Sequence, residues 1–311
     1  MSIQNVSIWM KLQAFRTLEQ IKNLFLGYRL GKKMPFLITL YTSTFNTLKP
    51  NKIKIFDHWL MLNPKDKVMS NELAIKGTFE EFEVSLFSSL IKSGFTVFDI
   101  GANVGYYTLL AASKVGKLGQ VYAFEPEQEN FEILSKNLEL NNCHNIRLMK
   151  YAVSDENSHI TMNLSADNMG DHRTHKSENA IEGRHSYQVE AVALDSLFKD
   201  EATLPDVIKM DIQGFEYFAL QGMQKLIDKT STLVLLSEFW PYAMTIASGE
   251  DSPKLFYENL RSHGFKIFQI DESNKNLVEV SDIDSLINSL TGESFTNLAC
   301  FKNAHEEALD Y

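Results

Sequence analysis

The stretch VFDIGANVGYYTLLAA, residues 97–112, places acidic, amide and glycine residues at alternate positions between an apolar strand and an apolar helix. These residues are Asp99, Gly101, Asn103 and Gly105. Glycines in a strand-to-helix turn let the backbone approach a ligand or let helix and strand pack closely. The G-x-x-x-G spacing departs from the G-x-G-x-x-G spacing typical of dinucleotide diphosphate sites. An acid beside the loop repels phosphate and attracts a cation or an amine, so the stretch predicts such a site, with a purely structural turn as the alternative.

Three further acids end apolar segments that are expected to be strands. Glu125 lies in AFEPEQEN, 20 residues after Gly105, where an acid can accept two hydrogen bonds from a ribose diol. Asp211 lies in IKMDIQGFE and Glu238 in LLSEFWPY. Because the carboxyl ends of parallel strands meet at one edge of a sheet, we expect these acids to share a crevice. Each of them could otherwise be a surface acid or a helix cap.

Strand and helix patterns alternate from residue 95 onward, which predicts an α/β fold with a doubly wound, mostly parallel sheet. Seven strands are expected, at 95–100, 120–124, 146–153, 206–211, 232–238, 265–270 and 296–302. The last two have no evident helix between them, which favours an antiparallel edge. The chain before residue 95 has a different pattern. Residues 5–30 and 78–94 show helical spacing of apolar residues, and residues 51–64 indicate short strands with a turn.

Four segments together resemble S-adenosylmethionine-dependent methyltransferases of the FkbM type. They are FTVFDIGANVGYYTLLAA, VYAFEPEQENFEILSKNLELNN, YAVSD and DVIKMDIQGFEYFALQGM. The resemblance covers roughly residues 78–270 and implies a class I methyltransferase fold, which is Rossmann-like, with S-adenosylmethionine as cofactor. The family usually has an acid where this chain has Gln213, in a D-x-E-G-x-E run, whereas Glu216 keeps the family's pattern.

The resemblance also implies which residues hold the cofactor. Glu125 would contact the ribose, and Ala152, Val153 or Asp155 the adenine. The residues near the amino acid part would be Asp99, Gly101, Asn103 and Gly105. The remaining candidates are Ala102, Tyr106, Pro126 and Asp211.

Methyl transfer to a hydroxyl needs a group that takes the acceptor's proton, and a histidine with a near-neutral pKa suits that role. His172 lies in the polar segment 165–188, which is long for a loop in a compact domain. We therefore predict His172, Asp211 and Glu238 as catalytic candidates and no metal site. Two alternatives remain open for this segment: a solvated loop without a role, or a metal site formed by Asp171, His172, His175 and His185.

The charge of the chain is unevenly distributed. The net charge is −10, which argues against general affinity for nucleic acid. Residues 1–54 hold nine basic residues and one acid, so they carry about +8 and the remainder about −18. This basic, amphipathic arm is expected to be a solvated extension, a packing or oligomer element, or a contact with anionic membranes.

The composition favours a cytoplasmic protein. Its two cysteines, Cys143 and Cys300, imply no disulfide framework, and no segment has the length of a membrane span or the pattern of a signal peptide. We expect an N-terminal helical and β extension at 1–77 and a methyltransferase domain at 78–311, with a homo-oligomer as one arrangement. The favoured reaction is O-methylation of a hydroxyl on a carbohydrate or secondary metabolite. The alternatives are N-methylation of an amino sugar and a non-catalytic cofactor-binding module.

Overall fold

The computed structural model describes residues 9–18, 20, 43–44, 47–163, 173–175, 186–200 and 202–303. The strands in these ranges are β1 (Lys52–Ile55), β2 (His58–Met61), β3 (Thr96–Ile100), β4 (Gln120–Phe124), β5 (Ile146–Met149), β6 (Ala152–Val153), β7 (Ser158–Asn163), β8 (Arg173–His175), β9 (Ser186–Val192), β10 (Val207–Met210), β11 (Leu233–Phe239), β12 (Lys266–Asp271), β13 (Asn276–Glu279) and β14 (Thr296–Lys302). The helices are α1 (Met69–Lys76), α2 (Glu81–Leu90), α3 (Tyr106–Val115), α4 (Gln128–Leu140), α5 (Leu194–Leu197), α6 (Glu216–Gln221), α7 (Gln224–Lys229), α8 (Pro241–Ser248), α9 (Ser252–Ser262) and α10 (Ile283–Ser289). Residues 9–18 are also helical.

The central sheet has the order β13-β12-β14-β11-β10-β3-β4-β5 within the described part of the chain. Strands β11, β10, β3, β4 and β5 are parallel, and β14, β12 and β13 pair antiparallel at one edge. The doubly wound α/β fold and the antiparallel edge are therefore confirmed. This mostly parallel, Rossmann-like sheet is the arrangement that the sequence resemblance implies.

The predicted count of seven strands in this sheet is wrong, because β13 is an eighth. It is a short edge strand whose residues are mostly exposed, so it lacks the apolar alternation that identifies strands in a sequence. The predicted strand at 146–153 is also two strands. Its first half, β5, belongs to the central sheet, whereas β6 pairs with β9 in a second, four-stranded sheet of order β6-β9-β7-β8.

Both faces of the central sheet are covered, which explains the nearly continuous apolar runs of its inner strands. Val97 of β3 packs in one buried cluster with Leu109 of α3. Its neighbour Phe98 points to the opposite face, where it packs in a second cluster with Leu220 of α6. The alternation of side chains along each strand therefore supplies two cores and leaves the carboxyl ends of the strands as the open edge.

The β1–β2 hairpin docks on α4 through two asparagines one helical turn apart. Asn141 accepts a hydrogen bond from the backbone N–H of Trp59 at 2.8 Å and donates to its carbonyl at 2.7 Å. Asn137 makes the same pair of contacts with Met61, at 2.7 and 3.2 Å. These side chains satisfy backbone groups of β2 that face no further strand. None of the helices in the described ranges is long and apolar enough to cross a membrane.

Candidate active site

A cavity of about 220 Å³ lies at the carboxyl edge of β3, β4, β10 and β11. Most predicted site residues line it. They are Asp99, Gly101, Ala102, Asn103, Tyr106, Glu125, Pro126, Ala152, Val153, Asp211 and Glu238. Convergence at this edge follows from the parallel order of the strands, because each of the four ends on the same side of the sheet.

Two predicted residues do not line the cavity, and a third lies outside the described part of the chain. Gly105 precedes α3 and does not line the cavity, and neither does Asp155, whose Oδ1 accepts a hydrogen bond from the Ser154 hydroxyl at 2.9 Å. His172 lies outside the described residues, as do Asp171 and His185 of the alternative metal site. Among the residues that the structure describes, no group of histidine, cysteine and acidic side chains could hold a metal ion.

The two glycines of the loop are required by packing within the protein. Gly101 has φ +87°, and a Cβ there would lie 1.9 Å from the carbonyl oxygen of Asp211. The close approach is therefore between the ends of β3 and β10, and not only between backbone and ligand as the sequence suggested. Gly105 has φ +95°, and its Cβ would lie 2.3 Å from Leu134 of α4. Its role is thus close packing of α3 against α4, where we expected helix against strand.

Glu125 anchors the glycine loop from the end of β4. Its Oε2 accepts a hydrogen bond from the backbone N–H of Asn103 at 2.7 Å, and its Oε1 from that of Glu127 at 2.9 Å. The side chain is only 5% exposed, and burial raises the pKa of Glu125 to about 8. Each carboxylate oxygen can accept a second bond, so two acceptor positions remain for a ligand's hydroxyl groups.

Asp99 lines the cavity from β3, which lies between β4 on one side and β10 and β11 on the other. The Thr108 hydroxyl donates a short hydrogen bond to its Oδ2 from the first turns of α3. Burial raises the pKa of Asp99 to about 6, although this hydrogen bond favours the charged form.

Gln213 links the two acids at the ends of β10 and β11. Its Nε2 donates to Asp211 Oδ1 at 2.8 Å and lies 3.0 and 3.1 Å from the two carboxylate oxygens of Glu238. Glu238 is buried, and its pKa is well above the usual range because of burial and the nearby Asp211 and Glu216 carboxylates. The Asp211 side chain is 34% exposed, so it is the more accessible of the two acids.

A buried lysine lies beneath these acids. Lys209 Nζ is 3.0 Å from Glu83 Oε1, 3.9 Å from Asp211 Oδ2 and 5.1 Å from the centre of the Tyr107 ring. Burial alone would lower the pKa of Lys209, but Glu83, Asp211 and Glu80 outweigh burial and raise it. This cation therefore stays charged and offsets part of the repulsion among the acids.

The lining residues that sequence reasoning missed include Glu80, Lys209, Phe295 and Gln213, whose bridging contacts were not expected. A lysine within the apolar run VIKMD was a signal, since a buried charge needs a partner. The sequence around Glu80 and Phe295 does not indicate a site, because the other residues that line the cavity lie far from them in the sequence.

The residues around the cavity belong to a segment that matches a known family. A family profile described as "Methyltransferase FkbM domain" matches residues 99–267. The chain belongs to the FkbM methyltransferase family. A domain of this family is an S-adenosylmethionine-dependent methyltransferase domain.

Individual relatives are more distant. The hexuronic acid methyltransferase AglP of Haloferax volcanii is 25% identical over 140 residues, which are 45% of this chain and 54% of the relative. The match therefore spans about half the length of that relative. The FkbM methyltransferase structure from Methylobacillus flagellatus KT has a TM-score of 0.43 and 15% identity, over 74% of this chain and 52% of that one. The Bacillus cereus O-methyltransferase in complex with SAH has a TM-score of 0.42 and 14% identity, over 71% and 79% of the two chains.

The residues of this FkbM domain fit S-adenosylmethionine. The cofactor is a cation with a ribose diol, and the acids that line the cavity are Glu80, Asp99, Glu125, Asp211 and Glu238. The lysine that lines it, Lys209, is paired with Glu83. Carboxylates favour the sulfonium charge, and the acceptor positions left on Glu125 suit the diol.

Proposed function

We propose that this protein transfers a methyl group from S-adenosylmethionine to a hydroxyl group of a sugar. The observation that carries this proposal is the division of the cavity wall at β3. Glu125 at the end of β4 lies on one side, and the linked acids Asp211 and Glu238 at the ends of β10 and β11 lie on the other. One side suits the nucleoside of the cofactor, and the other is left for the acceptor.

The proposed role of Glu125 is to bind the ribose hydroxyls, and that of Asp99 is to favour the positive charge near the centre of the cavity. When bound, S-adenosylmethionine would supply the methyl group of its positively charged sulfur to the acceptor oxygen, leaving S-adenosylhomocysteine. The enzyme's remaining task is to hold the acceptor in line and to remove its proton.

Asp211 is the residue that we propose as general base. It lines the cavity, and it is more accessible than the buried Glu238, whose pKa is raised by burial and by the neighbouring carboxylates. An accessible carboxylate can reach the acceptor hydroxyl and take its proton. The proton of the acceptor hydroxyl would pass to Asp211 as the new bond forms. His172 remains the alternative base.

A sugar acceptor is supported by the relative AglP, whose name describes a hexuronic acid methyltransferase. It is also supported by the mixed lining of the acceptor side. Acids and an amide there can accept and donate hydrogen bonds to hydroxyl groups, while Phe295, which is 49% exposed, offers an apolar face to a sugar ring.

The proposal is tested with radiolabelled methyl donor and a panel of methyl glycosides: a neutral hexose, its uronic acid and its amino sugar. We expect S-adenosylhomocysteine release with transfer of label to an oxygen of the sugar, located by mass spectrometry after the remaining hydroxyls have been perdeuteromethylated. Label on nitrogen of the amino sugar would instead identify an N-methyltransferase. Tight binding of S-adenosylhomocysteine without any transfer, across the panel and across cell-extract fractions, would indicate a cofactor-binding module.

A further inference from the structure

Gln213 has two unusual features at the acceptor side of the cavity. Its backbone has φ +56°, in the left-handed region that a non-glycine residue rarely adopts. Its side-chain amide contacts two carboxylates, on Asp211 and on Glu238. Such backbone strain persists where the surrounding structure requires one particular residue position, and it is concentrated at functional sites.

An amide at this position matches the groups that surround it. An amide nitrogen carries two N–H donors, which match the two carboxylates it contacts, whereas an ionised carboxylate has only acceptors. The FkbM family, to which this chain belongs, usually has an acid where this chain has Gln213. In this chain a third acid would lie within hydrogen-bond distance of two others, and the like charges would repel. The substitution of an amide for an acid therefore changes both the geometry and the charge around Asp211.

Asp211 is restrained from two directions. Gln213 donates to its Oδ1, and the buried Lys209 lies 3.9 Å from its Oδ2. The other charged or titratable groups around this network come from every neighbouring element: Glu80 and Glu83 at the start of α2, Asp99 at the end of β3, Tyr107 of α3, Glu216 of α6 and Glu238 of β11. Most of these groups are acids, so a neutral donor at position 213 removes one repulsion that the family's usual residue would add.

We propose that Gln213 is a positioning residue for proton removal: its amide binds Asp211 Oδ1, so that Oδ2, which lies 3.9 Å from Lys209 Nζ, is the oxygen that accepts the proton of the acceptor hydroxyl. The proposal rests on the proposed function, in which Asp211 is the base. It goes further in assigning a role to the residue at which this chain departs from its family. Gln213 itself touches neither reacting atom in this role, because it acts through Asp211.

The test compares two variants with a charge control. Gln213→Glu keeps the length of the side chain but replaces the donor by a charge. Gln213→Asn keeps the amide and tolerates a positive φ, but it is one methylene too short to reach both acids. Gln224→Glu adds the same charge to a partly buried network with Asn259 and His263, and Gln224 does not line the cavity.

The first measurement needs no acceptor. In protein labelled with carboxyl-¹³C aspartate, with the Asp211 signal assigned from Asp211→Asn, the titration midpoint of Asp211 is followed by NMR with S-adenosylhomocysteine present. We expect Gln213→Glu to move it upward by about one pH unit or more, because a carboxylate a few ångströms away disfavours a second negative charge. The midpoint in Gln213→Asn should change by less than about half a unit, since no charge is added.

The second measurement uses whichever glycoside of the panel the wild type methylates. For Gln213→Asn we expect kcat to fall by about tenfold across the pH range, the loss that corresponds to one hydrogen bond, with KM for S-adenosylmethionine changed less than about twofold. For Gln213→Glu the acidic limb of the kcat profile should move upward together with the Asp211 midpoint. The Gln224→Glu enzyme should match the wild type in both measurements.

Each failure has a distinct signature. An unchanged Asp211 midpoint in Gln213→Glu, in a folded protein, would overturn the contact on which the positioning role depends. A shifted midpoint with an unshifted pH profile would show that Asp211 is not the base, and the positioning role would fall with it. Absence of methylation by the wild type across the panel and the extract fractions would refute the proposed function, and with it the role in proton removal, even where the midpoint shifts as expected.

Discussion

Replacement of Glu125 by glutamine should weaken binding of S-adenosylhomocysteine and remove its pH dependence. In the wild type the carboxylate accepts hydrogen bonds from two backbone N–H groups, at Asn103 and Glu127. A glutamine oxygen can accept only one of these in the same place, and the amide nitrogen then faces the other donor. The change therefore disturbs the loop that borders the cavity and removes the charge that would bind the ribose.

The size of the effect follows from the contacts of this one side chain. Hydrogen bonds to a charged group contribute about 1.5–3 kcal/mol, which corresponds to roughly 10- to 150-fold weaker binding at pH 8. Burial raises the pKa of Glu125 to about 8, whereas ribose hydroxyls favour its charged form. Binding should therefore release a proton below pH 8, and the wild-type affinity should fall by about fivefold between pH 8 and pH 7 and by up to about tenfold between pH 7 and pH 6. The affinity gap between wild type and variant should narrow over the same range.

Calorimetry at pH 6, 7, 8 and 9, in buffers of different ionisation enthalpy, measures both the affinity and the number of protons released. The matched control is Glu129→Gln at the start of α4, where the side chain pairs with Lys65 on the surface and does not line the cavity. The control should keep the pH dependence of the wild type. Wild-type affinity that stays constant from pH 6 to 9, or a folded Glu125→Gln protein that binds like the wild type, would refute the role assigned to Glu125.

Two further predictions concern the scaffold. Gly101→Ala should lower the free energy of unfolding by more than about 2 kcal/mol, because its Cβ would collide with a backbone carbonyl at the end of β10 in addition to the cost of a positive φ. Gly94→Ala is the matched control, since Gly94 has φ +89° with nothing within 4 Å of an added Cβ. Denaturant unfolding should show a smaller loss of unfolding free energy for this variant, and equal losses for the two variants would contradict the collision at Gly101. Asn141→Ala should cost about 1–3 kcal/mol and increase hydrogen exchange at the Trp59 amide, which loses its acceptor; an unchanged exchange rate would mean that the hairpin is held by other contacts.

The parts of the fold that could be predicted from the sequence are those coded by local patterns. The inner strands β3, β4, β10 and β11 are buried on both faces, so their apolar runs are nearly continuous, and each has an acid either as its last but one residue or directly after its end. That pattern was enough to place Asp99, Glu125, Asp211 and Glu238 at one edge. Strand β13 was missed because a solvent-exposed edge strand carries no such pattern.

The contacts that could not be predicted join residues far apart in the chain. Glu83 and Lys209 are far apart in the sequence but form a buried ion pair. Asn297, near the other end of the described chain, donates hydrogen bonds to both Glu80 and Glu83. A single sequence does not show which distant polar residues will be neighbours. The glycine loop illustrates the same limit, because a glycine that approaches a ligand and one that approaches the next strand have the same local sequence.

The two sides of the cavity stabilise their acids in different ways, and this difference explains why the cofactor is easier to infer than the acceptor. On the cofactor side, Glu125 is held by backbone N–H groups of its own loop and of the loop after β3. Backbone donors do not depend on side-chain identity, so that arrangement is compatible with many sequences of the same length and shape. On the acceptor side, Asp211 is held by side chains, the amide of Gln213 and the ammonium of Lys209. One substitution at position 213 can therefore alter the charge beside the proposed base, whereas the backbone contacts of Glu125 do not involve that residue.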